Sequence, residues 1–145
     1  MNFTLRKAEL TDADQLYRLV ENFATSFKPM KTAFNHSLEQ FLVDDSVFID
    51  VAILENEVVG YCLAFDHYAF YANGRVTWVE EITVREDLRE KGIGRALMEA
   101  VYEWADARES KLVGLATRRA AAFYKAIGYE ESAIFFRKMV ANRDG

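Results

Sequence analysis

The chain has 145 residues, 51% hydrophobic and 14% aromatic, with one cysteine and a formal charge of -5. That length and apolar content bury a sizeable core in one domain, residues 1–145, without disulfide or metal staples, and every apolar run is broken by charge short of the ~20 residues a membrane span needs. The acidic balance argues against general nucleic-acid binding, and a lone cysteine behind an N-terminus without a signal-peptide pattern points to a reducing cytoplasm.

In chain order, Phe3 and Leu5 alternate with polar neighbours, which predicts a first strand over Asn2–Ala8. Thr11 reads as the N-cap of a helix whose Leu16, Leu19, Val20 and Phe23 form one apolar face ending near Ala24. Pro29 breaks the next stretch, and Leu38, Phe41 and Leu42 suggest a short helix ending before Asp44-Asp45. Phe27 and Phe34 read as core or pocket lining, and His36 as an exposed helix residue.

Val47–Leu54 and Val58–Tyr68 form a predicted hairpin around Glu55-Asn56-Glu57, with Cys62 as a small buried hydrophobe and His67 near the strand end. Asn73-Gly74 turns the chain into a strand over Arg75–Val84. A helix follows from Gly92 to about Arg108, then a buried strand over Leu112–Ala116. A helix with Ala120, Phe123, Tyr124 and Ile127 stops at Gly128, and Tyr129–Val140 supplies a closing strand region. Strand, helix and strand in that order predict parallel neighbours in an α/β domain with a mixed sheet flanked by helices.

The chain is organised around Arg85–Ala96, where a strand, a turn and a helix meet. Gly92 and Gly94 let the backbone approach a ligand closely, unpaired N-H groups leave the first turn of the helix, and Arg89, Lys91 and Arg95 make the site basic within an acidic protein. A phosphate-bearing ligand fits that combination. The stretch lacks the third glycine of a dinucleotide fingerprint and the Gly-Lys-Ser/Thr ending of a P-loop.

Arg89-x-x-Gly92-x-Gly94 resembles the acetyl-CoA pyrophosphate loop of the GNAT N-acetyltransferase superfamily, Arg/Gln-x-x-Gly-x-Gly/Ala. Ala120 to Tyr129 resembles its A-x-x-F-Y-x-x-x-G-F segment, with Thr117 where the family often has asparagine. The resemblance implies two parallel strands, ending near Val84 and Ala116, that splay apart around the pantetheine arm. It implies acetyl-CoA contacts at Ile82, Thr83 and Val84, along Arg89, Glu90, Lys91, Gly92, Ile93, Gly94 and Arg95, and at Thr117, Phe123 and Tyr124.

Transfer of an acetyl group from a thioester to an amine needs a neutral amine, donors for the developing oxyanion and a proton for the departing thiolate. By the resemblance, Tyr124 supplies that proton and the backbone N-H groups of Ile82–Val84 hold the oxyanion. Glu80 and Glu81 are the candidate bases. Adjacent strand residues face opposite ways, so one of the two faces the cleft. Glu80 is taken as base and Glu81 as a substrate-orienting alternative, and a strand bulge would reverse the facing. The acid pair, through its likeness to polyamine-type members, suggests a small cationic primary amine as acceptor. A lysine or N-terminus of a protein is a second reading, and a non-catalytic CoA-binding sensor is a reading of another class. No metal is expected, and the sequence is compatible with a homodimer.

Overall fold

The computed structural model describes residues 2–24 and 26–140. Its centre is a five-stranded sheet in the order β1 (Thr4–Lys7), β2 (Val47–Leu54), β3 (Glu57–Ala69), β4 (Gly74–Val84) and β5 (Val113–Gly114). Neighbours are antiparallel except β4 and β5, which run parallel. The β2–β3 turn places Glu55 (φ 52°) and Asn56 (φ 66°) in the left-handed region, the conformation that matches strand twist in a two-residue hairpin.

Helices cover both faces. On one, α1 (Ala13–Phe23) and α2 (Lys31–Leu42) bury Leu16, Leu19 and Leu38 against Val51, Val58, Tyr61 and Leu63. On the other, α3 (Ile93–Ala107) buries Ile93, Leu97, Met98 and Val101 against Phe48, Ala52, Cys62, Ala64 and Val79. The short α4 (Ala121–Ala126) sets Tyr124 against this second cluster. Leu16, Val51, Leu97 and Val101 are at most 1% exposed, and each fully buried side chain of this size contributes roughly 1.5–3 kcal/mol.

Three expectations are corrected. Thr11 lies inside a 3-10 turn, Leu10–Asp12, and caps nothing there; the N-cap of α1 is Asp12. The buried Asp12 carboxylate accepts the Glu9 N-H at 2.8 Å and two bonds from Arg6, each 2.8 Å, and a bidentate charged pair outcompetes a hydroxyl cap. The strand predicted over Leu112–Ala116 pairs with β4 only at Val113 and Gly114. Tyr129–Val140 forms no strand among the described residues. So brief a β5 offers little edge for another strand to pair with, and extended backbone becomes a strand only where its N-H and C=O groups find partners.

Candidate active site

Parallel pairing between β4 and β5 stops at Trp78, while β4 runs on to Val84. Among the described residues, the edge from Val79 to Val84 therefore has no strand partner on the β5 side. The register against β3 shifts at the same point. Leu63 opposes Glu81 and Ala64 opposes Val79, so Glu80 is one residue extra, and a bulge of this kind bends its strand. The bulge falls directly after the last β4–β5 pair.

The bulge also decides which acid is covered. Val79 packs into the α3-side cluster, and the extra residue lets Glu81 turn to the opposite face, beneath α1 and α2. Glu80 is exposed, its Oε2 accepting the indole N-H of Trp78 at 2.9 Å. Glu81 is partly buried and its Oε1 accepts the hydroxyl of the buried Tyr61 at 2.7 Å. Burial lifts the Glu81 carboxyl above the usual glutamate range, the Tyr61 bond pulls the other way, and the charge of Glu80 adds to the lift.

Glu81 forms part of the wall of a chamber of about 500 Å³ between the sheet, α1, α2 and their connection. Phe27 and Phe34, ambiguous in the sequence, both line it, whereas His36 and His67 are exposed outside it. The Tyr61–Glu81 contact had no signal in the sequence, because it depends on two strands pairing at one register.

Beyond the C-terminal end of β4, Glu90 (φ 62°) and Gly92 (φ 92°) both adopt left-handed backbone, which shapes the loop before α3. Gly92 is the N-cap of α3, and no side chain caps it. The first-turn N-H groups therefore keep their donor capacity toward an anion. Arg89, Lys91 and Arg95 are exposed around this end; Arg89 Nε donates to the Val84 carbonyl at 3.2 Å and Arg95 Nε to Glu99 at 3.3 Å. Gly94 faces Phe123, whose ring would lie 3.6 Å from an added Cβ.

Tyr124 packs edge-on against Phe123 and Tyr129, with ring centroids 5.0 and 6.0 Å away. Burial pushes its hydroxyl up to about 12. The Tyr129 hydroxyl is buried and meets no hydrogen-bonding group among the described residues. Thr117 Oγ1 accepts the Ala120 N-H at 3.1 Å, fixing the turn that leads into α4. An uncapped helix N-terminus, a basic loop and an unpaired strand edge suit a ligand with a pyrophosphate and an amide-rich arm. Among the described residues, no three His, Cys, Asp or Glu side chains are placed to hold a metal ion.

Residues 13–129 match the model of the Acetyltransferase (GNAT) family. The chain belongs to that family. Members of the GNAT family use acetyl-CoA as cosubstrate, and the chain is an acetyltransferase of this kind. No protein of curated function matches its sequence. Among solved structures, this acetyltransferase is similar to glucosamine-6-phosphate N-acetyltransferase from Arabidopsis thaliana, at 19% identity and TM-score 0.85 over 96% of this chain and 99% of the other. A transcriptional regulator from Bacillus halodurans gives 21% identity and TM-score 0.86 over 96% and 100%. An aminoglycoside acetyltransferase from an uncultured soil metagenomic sample gives 19% and 0.78 over 95% and 96%. At these identities the likeness shows the fold alone. No helix among the described residues is long and apolar enough to cross a membrane.

Proposed function

We propose that this acetyltransferase moves the acetyl group of acetyl-CoA directly onto a primary amine, with Glu81 as base and Tyr124 as acid. The observation that carries the reading is the placement of Glu81: a carboxylate lifted by burial, held by Tyr61, in a chamber beside the open edge of β4. Bound acetyl-CoA supplies the acyl group as a thioester. Glu81 accepts a proton from the substrate ammonium, and the freed amine attacks the thioester carbonyl. Alternate N-H groups along Ile82–Val84 donate to the developing oxyanion without reorganising. As the N–C bond forms and the C–S bond breaks, Tyr124 gives its proton to sulfur and is reprotonated through solvent by the second proton the nitrogen loses.

Burial pushes the Cys62 thiol up to about 12, so its nucleophilic thiolate is scarce at neutral pH and the transfer proceeds without an acyl-enzyme. The reaction needs no metal. Arg89 to Arg95, with Glu90, Gly92, Ile93 and Gly94 between them, hold the pyrophosphate, and Thr117, Phe123 and Tyr124 border the pantetheine arm. A cytoplasmic location fits the single reduced cysteine.

The acid pair suggested an acceptor with two positive charges, such as a polyamine. The two side chains diverge, Glu80 outward to Trp78 and Glu81 into the chamber, so one carboxylate, not two, serves the amine. The test is release of CoA thiol from acetyl-CoA across a broad panel of primary amines, with mass detection of acetylated product. Amine-dependent release with no acetyl group left on the protein is expected. Tight acetyl-CoA binding with no turnover on any amine would favour the non-catalytic sensor.

A further inference from the structure

The chamber beside Glu81 narrows the acceptor further, on the reading that a primary amine is acetylated at that carboxylate. Its volume, about 500 Å³, is that of an ordinary small-molecule site. Its walls include Phe23, Phe27, Met30, Phe34 and Phe41. They are pinned from outside: Phe34 stands edge-on to Tyr17 at 5.4 Å, Phe41 edge-on to Phe65 at 5.6 Å, and the Tyr17 hydroxyl donates to the Pro29 carbonyl at 2.9 Å. Among the described residues the charged lining is Glu81 and Lys28 alone. Arg137 donates to the lining Ser26 at 3.0 Å, so the charge added there is positive as well.

We infer that the acceptor is a monoamine with an apolar body, an alkyl chain or a single aromatic ring, whose nitrogen sits at Glu81 while its body fills the chamber. One partly buried carboxylate matches one ammonium group. A second ammonium would lie against phenylalanine rings or beside Lys28, where desolvation and like charge both oppose it. The hydroxyls of an amino sugar would lose water for walls that offer few partners, and unsatisfied buried polar groups are penalised. An apolar body gains from the same walls.

The test compares 2-phenylethylamine and n-hexylamine with spermidine, glucosamine 6-phosphate and tobramycin on the full chain. kcat/KM should favour the two apolar amines by at least tenfold. Ala33→Glu, on an exposed helix position of the lining, places a second carboxylate in the wall. It should lower kcat/KM for 2-phenylethylamine and narrow its lead over spermidine at least tenfold. Preference of the wild type for spermidine, the amino sugar or tobramycin overturns the inference and leaves acetyl transfer standing. If no amine is acetylated, calorimetry on the same protein decides. Binding of 2-phenylethylamine that Ala33→Glu weakens supports the apolar chamber while the transfer reading fails, and absence of that binding overturns the inference.

Discussion

Tyr124 carries its proton throughout the neutral range, because burial holds its hydroxyl at about 12, well above the ~8.5 of an ordinary thiol. Tyr124→Phe keeps the ring that packs between Phe123 and Tyr129 and deletes the acid. Turnover should fall about 10²- to 10⁴-fold, with acetyl-CoA affinity by calorimetry changed less than about threefold. Undiminished turnover would return Tyr124 to a packing role. Glu81 gives a pH signature. Its folded pKa lies above the unfolded value of about 4.3, so in the window between them the folded state holds the extra proton. That stability is full below the unfolded value and is lost as pH rises through the folded one. Glu81→Gln should flatten the dependence of Tm on pH and abolish the acid limb of kcat/KM; a limb that persists assigns the base elsewhere. The Phe-Tyr motif made Tyr124 legible in the sequence. The choice between Glu80 and Glu81 was not, since strict alternation holds only where no residue is extra, and the bulge arises from pairing with β3.

For the glycine loop, the test is Gly92→Ala. Alanine at φ 92° strains the backbone by about 1–3 kcal/mol, yet its methyl group would meet nothing within 4 Å, so the fold should survive. Moving the start of α3 and placing a methyl group over its donors should weaken acetyl-CoA at least tenfold by calorimetry, with the circular dichroism spectrum unchanged. Equal affinity would remove the pyrophosphate from this loop. Elements with a strong local period were legible: the apolar faces of α1 and α3 form where the sequence puts them, and the hairpin predicted around Glu55-Asn56-Glu57 forms with Glu57 already in β3. The connection from Ser26 to Met30 was not, because its side chains have no local pattern and find a role only as chamber wall. The Tyr129–Val140 segment misled for the opposite reason. Its strand-forming residues describe the segment, whereas a strand also requires an edge.

Across the whole molecule, that segment leaves Ile134, Phe136 and Val140 at 80%, 85% and 68% exposure. Exposed apolar groups of this density suit an interaction surface, and the same surface recurs on every copy of the chain. A homodimer is the expected state. Sedimentation velocity at micromolar concentration should show it, and Phe136→Lys should shift it toward monomer; a monomeric wild type would leave the segment without a partner. The bulge in β4 acts through the length of the chain. Deleting Glu80 would turn no other side chain over, because Val79 and Glu81 already face opposite sides as neighbours in a regular strand do. What it would remove is the bend, letting β5 zip further along β4. Under the proposed transfer, the opening for the cofactor is thus written in the length of the chain rather than in the identity of a side chain, and loss of a single codon should close it with Glu81 and the chamber walls still in place.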